Sequence, residues 1–217
     1  MAFIALLNGR TILALLAGLV IGLAFGLSAG SSSRRESTLP EETANEEPVS
    51  GKQPASFWIR QLKDRDPALR QQAMRALAHL GPRQEGVLQA LLGMLKDKHE
   101  GVRFGAALNL GRMGPQAEAA IPALLAALED PDQFVRLAAV RALGSIGPHE
   151  EAVLAALTSA LQDKSAMVRH RTLDTLQEIG PAAWSTLPSV RAAREDGEPE
   201  VRQAAAAALD KIGGRDP

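Results

Sequence analysis

Residues 130–148, DPDQFVRLAAVRALGSIGP, contain a turn, one amphipathic helix and a Gly-Pro stop. The same pattern returns at steps of 33 residues in both directions along the chain. Three columns of identical residues mark each return: Asp64, Asp97, Asp130, Asp163 and Asp196; Arg70, Arg103, Arg136, Arg169 and Arg202; and Gly81, Gly114, Gly147, Gly180 and Gly213. A fixed period of this length is typical of a solenoid, whose repeats stack so that each contacts only its neighbours.

Each repeat is predicted to be a helical hairpin, with the Asp turn between its two helices. The first helices are expected near 55–63, 86–96, 119–129, 152–162 and 185–195. The second helices are expected near 67–80, 100–113, 133–146, 166–179 and 199–212. Gly suits the left-handed position that ends a helix, and the following Pro prevents continuation. Residues 55–214 are therefore predicted to be all-α, an α-solenoid of about five hairpins.

Apolar residues predict one shared core along the array. On each second helix they recur at offsets of three, four and seven, which marks a single buried face. The first helices supply two core columns. One is formed by Trp58, Leu91, Leu124, Leu157 and Val190, and the other by Leu62, Leu95, Leu128 and Leu161, with Arg194 in its place in the fifth repeat. The second helices supply three, which begin at Ala73, Leu77 and Leu80. Pro122 and Pro188 fall in first turns, where a missing N–H costs nothing.

Composition favours helices and excludes several chemistries. Hydrophobic residues make up 46% of the chain, largely Ala and Leu, while aromatic residues make up only 3%, a mixture that favours helices over sheets. The absence of Cys excludes disulfides, thiolate metal sites and a Cys nucleophile. The net charge is −1, which gives no overall basic field, so nucleic acid is not an expected partner.

Residues 11–29 follow a short tail, 1–10, and carry no charge. As a helix they would span about 28 Å, close to the hydrocarbon thickness of a bilayer. They therefore predict a single-pass transmembrane anchor. A short N-terminal tail favours an orientation that places the repeats outside the cytoplasm. A secretory signal is the alternative, because the small residues at 28–30 could form a cleavage site and release a secreted protein.

Four glycines, Gly18, Gly22, Gly26 and Gly30, recur every four residues in this segment. Such a ridge lets two membrane helices approach closely and predicts a homodimer through the anchor. The alternative is that Gly is simply common in membrane helices.

Residues 30–54 are rich in Ser, Pro and Glu, and 36–52 have a net charge of −4. A segment with so few apolar residues cannot bury enough surface to offset the entropy of ordering. It is therefore predicted to be a disordered acidic linker, either a solvated spacer or a docking patch.

The pattern D-x-x-x-x-V-R-x-x-A-x-x-A-L-x-x-I-G-P resembles the short HEAT-like repeat of phycobilin lyase relatives. The Val-Arg pair occurs at Val102-Arg103, Val135-Arg136, Val168-Arg169 and Val201-Arg202, and the first repeat has Leu69-Arg70 instead. The signatures of ankyrin and tetratricopeptide repeats are absent. The resemblance implies an α-solenoid. It does not fix the function, because similar repeats occur in scaffolds, lyases and a metal-dependent hydroxylase.

The resemblance to that hydroxylase implies a direct test for metal ligands. The hydroxylase binds iron through His-Glu pairs placed directly after the Arg column. Here the same positions read Phe104-Gly105, Leu137-Ala138, His170-Arg171 and Gln203-Ala204. His99-Glu100 and His149-Glu150 fall in turns at other offsets. The sequence therefore predicts no metal, no cofactor and no catalytic residue, with His79 and His170 as lone solvent-facing side chains.

The Asp and Arg columns allow two interpretations. Ten charges in register could form a functional surface, or each Arg could pair with an Asp of the adjacent repeat. A residue present in all five repeats cannot mark one particular site. The second interpretation, a structural ladder, is therefore the prediction.

The exposed side of the second helices, normally the concave wall of such a solenoid, is the predicted binding surface. Phe104, Leu108 and Leu137 would form its apolar centre. The surrounding cations are Arg75, Arg112 and Arg141. Concave apolar patches with polar rims often bind peptides or protein segments. The alternative is that these apolar side chains only pack between adjacent helices.

The predicted function is that of a non-catalytic, membrane-tethered scaffold or adaptor that binds a protein or peptide of unknown identity. The enzymatic alternative is a factor similar to a phycobilin lyase, or a chaperone-like factor, that acts on a chromophore-bearing protein.

Overall fold

The computed structural model describes residues 53–80 and 86–213. These ranges form ten α-helices and no strand. In chain order the helices are α1 (Ala55–Gln61), α2 (Pro67–Leu80), α3 (Val87–Met94), α4 (Glu100–Met113), α5 (Ile121–Ala127), α6 (Gln133–Ile146), α7 (Glu151–Ala160), α8 (Ala166–Ile179), α9 (Leu187–Ala192) and α10 (Pro199–Ile212). Consecutive helices pack as five hairpins. The predicted all-α solenoid is confirmed.

The second helices, α2, α4, α6, α8 and α10, have the predicted bounds, and each is 14 residues long. Local hydrogen bonds explain where they begin. The Asp132 carboxylate accepts from the backbone N–H groups of Phe134 and Val135 at 2.9 and 3.1 Å, which caps α6. At the same place before α4, Nδ1 of His99 accepts from the N–H of Gly101 at 3.1 Å.

The glycines that end these helices are not all alike. Gly114 and Gly180 have positive φ angles of 58° and 68°, as predicted, and each opens a 3₁₀ segment. Gly147 and Gly213 have φ angles of −135° and −100°, so a left-handed conformation was the wrong prediction at both. At Gly147 the difference follows from the connection, because the chain enters α7 without an intervening 3₁₀ turn.

The first helices are shorter than predicted, with 6 to 10 residues each. Helices α5 and α9 begin only at Ile121 and Leu187, because 3₁₀ segments occupy the residues before them. Pro122 and Pro188 do lie in the first turns, where their rings allow no extension of the α-helix backwards. At the other end the chain tightens into i→i−3 bonds, such as Glu129 N–H to Ala126 O.

Most of the predicted core is confirmed for the described residues, but Leu80, Leu128 and Ile179 are only half-buried against it. Trp58, Leu91 and their equivalents in the first helices are buried, and so is the whole column that begins at Leu77. Small side chains let adjacent second helices approach closely. A Cβ atom added to Gly111 of α4 would lie 3.0 Å from the Cα of Ala142 in α6, so nothing larger than Gly fits there without a shift.

The array has a tighter and a looser side. Each second helix packs directly against the next one, whereas the first helices meet far less. Between α5 and α7 they leave a groove of about 610 Å³. A stack with one compact and one splayed layer curves towards the compact layer. We therefore infer that the second helices form the concave surface.

The N-terminal predictions fall outside the described residues. These are the anchor at 11–29, the glycine ridge, and the linker at 30–54 except for Gln53 and Pro54. Within the described ranges, every helix is too short or too polar to cross a bilayer.

Candidate protein-binding surface

Four ion pairs join adjacent repeats along the edge where the Asp turns lie. Their nitrogen–oxygen distances are 2.6 to 2.7 Å, for Arg70–Asp97, Arg103–Asp130, Arg136–Asp163 and Arg169–Asp196. In the last three pairs Nε and Nη2 both donate to the carboxylate, the two-point geometry that gives the strongest charged hydrogen bonds. The predicted structural ladder is confirmed.

Each arginine of the ladder also holds its own turn. In the third repeat, Nη1 of Arg136 donates to the backbone oxygens of Asp130 and Pro131 at 2.9 and 3.2 Å. The Asp130 carboxylate in turn accepts from the N–H of Asp132 at 2.9 Å. Four of the five guanidinium N–H groups of Arg136 are therefore engaged within the fold, and only 4% of the residue is exposed.

The two ends of the ladder differ from its middle. Arg70 makes one contact with Asp97 instead of two, and its buried Nε has no acceptor among the described residues. Among the described residues, Arg202 donates only to the backbone oxygens of Asp196 and Gly197. The first repeat is therefore tied to its neighbour less firmly than the others, whereas the two-point Arg169–Asp196 pair holds the fifth repeat to the fourth.

The ladder shifts the pKa of its carboxyl groups. For Asp97, Asp130 and Asp163, burial disfavours the charged form, but the hydrogen bonds from arginine and from a backbone N–H outweigh it and lower the pKa. For Asp196 the hydrogen bond from Arg169 is the main cause, and the pKa is again lowered. All four groups are carboxylates at neutral pH.

The six residues of the predicted binding surface divide into two kinds. Arg75, Arg112 and Arg141 are exposed. Phe104, Leu108 and Leu137 are half-buried and pack against the core. The apolar three therefore support the stack as well as lining its surface.

A recess lies between α4 and α6 at the centre of this surface. Its volume is about 290 Å³. It is lined by Ala107, Leu108, Gly111, Arg112, Ala138, Arg141, Ala142 and Ser145. Three of the six predicted residues, Leu108, Arg112 and Arg141, meet there, while Arg75, Phe104 and Leu137 do not line it. The recess exists because the residues between the two arginines are small.

Sequence reasoning missed two features of the surface. The recess is lined by Gly111 of α4 and by Ala138 and Ala142 of α6, which do not occupy equivalent positions of the repeat, so the 33-residue period does not mark them. Phe134 and Met167, 33 residues apart, are each 48% exposed at the starts of α6 and α8. Both residues directly precede the Val-Arg pair of their repeat, and this shared position could have indicated an exposed apolar side chain there.

The histidines do not gather into a metal site. Within the described ranges there is no group of three or more His, Asp or Glu side chains that could hold a metal ion. Nδ1 of His99 is already an acceptor for its own helix. Nδ1 of His170 lies 3.3 Å from the Asp174 carboxylate, so the prediction of a lone histidine was wrong there. A carboxylate four residues along the same helix is its natural partner.

Comparison with protein-family models finds HEAT repeats over residues 55–143, 116–171 and 154–217. The chain belongs to the HEAT-repeat family. A search of curated proteins finds no match.

Several solved structures are similar to this HEAT-repeat chain. The complex of CpcE and CpcF of phycocyanin lyase from Nostoc has 24% identity and a TM-score of 0.64, over 82% of this chain and 71% of that one. An engineered protein has 22% identity and a TM-score of 0.59, over 74% and 81%. A designed armadillo repeat protein in complex with the peptide (KR)4 has 20% identity and a TM-score of 0.58, over 73% and 82%. At such identities the similarity establishes the fold.

Proposed function

We propose that this protein is a non-catalytic scaffold or adaptor that binds a segment of a partner protein on the concave surface of its second helices. The observation that carries the proposal is the recess between α4 and α6, flanked by two exposed arginines, Arg112 and Arg141. A recess lined by Leu108 and small residues beside exposed cations is suited to anchoring one side chain while fixing its orientation. The similar designed armadillo protein was solved with a bound peptide, and CpcE and CpcF form a complex, which supports a binding role for this architecture.

We further propose that residues 11–29 tether the repeats to a membrane, with the repeats on the extracytoplasmic side. The support is the length of the uncharged segment. A tether raises the effective concentration of any membrane-bound partner. The tether predicts that the protein stays with membranes after alkaline carbonate extraction. Release into the supernatant would contradict it and favour a cleaved signal.

The glycine ridge belongs to the same proposal. Replacing Gly22 with Ile should lower the dimer fraction measured in detergent, because the larger side chain separates the two helices. An unchanged dimer fraction would contradict a homodimer formed through the glycine ridge.

The binding role is tested by filling the recess. Ser145 is exposed at its rim, and its Oγ donates only to the Arg141 carbonyl oxygen on the same helix. Ser145→Trp should therefore cover the recess without disturbing the core. Ser159 is the comparison site, since it is also exposed and donates to the carbonyl oxygen of Ala155, but it lies on a first helix and lines the groove between α5 and α7.

The measurement is affinity purification of the full chain from solubilised membranes, with both variants beside the wild type. A co-eluting protein that Ser145→Trp loses and Ser159→Trp keeps is the expected result. A partner retained by both variants would place binding elsewhere.

A second candidate is a lyase-like or chaperone-like factor for a chromophore-bearing protein, favoured by the similarity to the phycocyanin lyase complex. That activity predicts an absorbance change when the protein is mixed with a bilin. Partner binding without any such change favours the scaffold.

A further inference from the structure

The concave surface has a surplus of positive charge in the first three repeats. Helices α2, α4 and α6 carry six arginines and a single acid, Glu100. Arg70, Arg103 and Arg136 are held in the ladder. Arg75, Arg112 and Arg141 remain, and no carboxylate of the described residues lies within 4.0 Å of them.

The last two repeats show no such surplus. On α8 the Asp174 carboxylate lies 3.3 Å from His170 and 3.4 Å from Arg171. The same helix also carries Glu178, and α10 carries Glu200 and Asp210. Lys211 on α10 is also an exposed cation, but α8 and α10 together carry as many acidic as basic side chains, lysine and arginine taken together. The net positive charge of the second helices therefore lies in the part of the concave surface that contains the recess.

We infer that the partner segment is acidic and extended, with carboxylates that contact Arg75, Arg112 and Arg141 and one aliphatic side chain that enters the recess. This inference rests on the proposed binding function and states the chemistry of the partner. Arginine suits carboxylates because its planar fork can donate two parallel hydrogen bonds.

The repeat geometry sets the spacing of those carboxylates. Arg75 and Arg141 occupy the same position in the first and third repeats, and Arg112 lies in the second repeat, one helical turn further along. Packed helices lie about 8–10 Å apart, and an extended chain advances about 3.3 Å per residue. An acidic residue at about every third position therefore meets one arginine in each repeat.

The recess favours a polypeptide over other anionic partners. Its lining combines Leu108 and small residues of α4 and α6 with Arg112 and Arg141, so a short aliphatic side chain can lie there beside the cations. A lipid headgroup or a nucleic-acid phosphate has no aliphatic side chain to place there.

The test is fluorescence anisotropy with the full-length protein in detergent and a labelled peptide, Glu-Val-Thr-Glu-Val-Thr-Glu. Its β-branched residues favour an extended backbone. The wild type should bind this peptide and not its Lys-for-Glu counterpart. The triple variant Arg75→Gln/Arg112→Gln/Arg141→Gln should lose at least tenfold in affinity.

A control variant removes the same charge elsewhere. Arg60, Arg65 and Arg194 are exposed and lie outside the second helices, so replacing all three with Gln should leave the affinity within twofold of the wild type. Circular dichroism of both triple variants should match the wild type, because none of the six arginines belongs to the ladder.

Several outcomes would overturn the inference. They are absence of binding by the wild type, equal binding by the two triple variants, and equal binding of the lysine peptide. Replacing the five Glu residues at 36–47 with Gln should leave the affinity unchanged. A tenfold gain would show that the chain's own acidic segment occupies the surface. Selective loss of binding to phosphatidylserine vesicles in the concave triple variant, with peptide binding unchanged, would assign the surface to lipid.

Failure of this inference is distinguishable from failure of the binding function. A native partner lost by Ser145→Trp but kept by the concave triple variant would retain the scaffold and reject the acidic segment. A partner kept by both variants would reject the concave surface altogether.

Discussion

Two arginines five residues apart on α6 have opposite surroundings. Arg136 is almost completely buried and donates to Asp163 of the next repeat and to two backbone oxygens of its own turn. Arg141 is exposed and has no acidic partner among the described residues. The first belongs to a column present in all five repeats, and the second has an arginine equivalent only at Arg75.

The difference teaches how to separate structure from function in an array. A residue repeated in every unit makes the same contact in every unit, so it stabilises the stack. A residue that departs from the repeat gives one unit a property that the others lack. Binding specificity must come from such departures, since a uniform array has no preferred site.

The largest effect on stability is expected at the buried pair. Arg136→Met should lower the free energy of unfolding by about 3–5 kcal/mol, because it leaves the Asp163 carboxylate without its partner in a buried position. Urea unfolding followed by circular dichroism measures the loss. Arg141→Met on the same helix is the matched control and should stay within about 0.5 kcal/mol of the wild type. Equal losses of stability in the two variants would show that the buried and the exposed arginine do not differ in what they contribute to the fold.

The next effect compares two leucines of α6. Leu143 is completely buried, so Leu143→Ala should lower the free energy of unfolding by about 2–5 kcal/mol through lost burial and a cavity. Leu137 is half-buried at the concave surface, so Leu137→Ala should cost about half as much. A larger loss at Leu137 would assign that residue to the core alone.

Acid should weaken the ladder. The folded-state pKa of Asp163 is below its ordinary value of 3.8, so its contribution to stability is complete above about pH 5 and is lost as the pH falls through the folded pKa. The double variant Arg136→Met/Asp163→Leu should therefore lose less stability than the wild type between about pH 5 and pH 3. If the unfolding midpoints of the wild type and the double variant fell in parallel with pH, the acid sensitivity could not be assigned to the Arg136–Asp163 pair.

The smallest stability effect is expected on the recess. Arg112→Gln should change the free energy of unfolding by less than about 0.5 kcal/mol, since the side chain is exposed. A loss above about 1 kcal/mol would show that Arg112 holds the fold.

Much of this molecule could be predicted from its sequence because it is periodic. The bounds of all five second helices and the partners in the ladder follow from residues that recur every 33 positions. The first helices were less predictable, because Pro122 and Pro188 shift the starts of α5 and α9. The recess could not be predicted, since it depends on how closely Gly111 approaches Ala142 across two repeats.

The same packing changes how the binding surface should be probed. Replacing Phe104 and Leu137 with Asp would be a clean test of binding only if both side chains faced solvent. Because both pack against the core, such a change would also destabilise the array. Ser145 and the exposed arginines separate binding from stability.

The most direct test of the account is a double-mutant cycle on Arg136 and Asp163, measured as free energy of unfolding at pH 7. The single variants Arg136→Met and Asp163→Leu and their double variant should give a coupling of about 1–3 kcal/mol between adjacent repeats. The same cycle on Arg141 and Asp174, which also lie one repeat apart, should give a coupling near zero. Additive effects at Arg136 and Asp163 would contradict a ladder that joins the repeats. Equal coupling in the two cycles would contradict the claim that Arg141 is free to bind a partner.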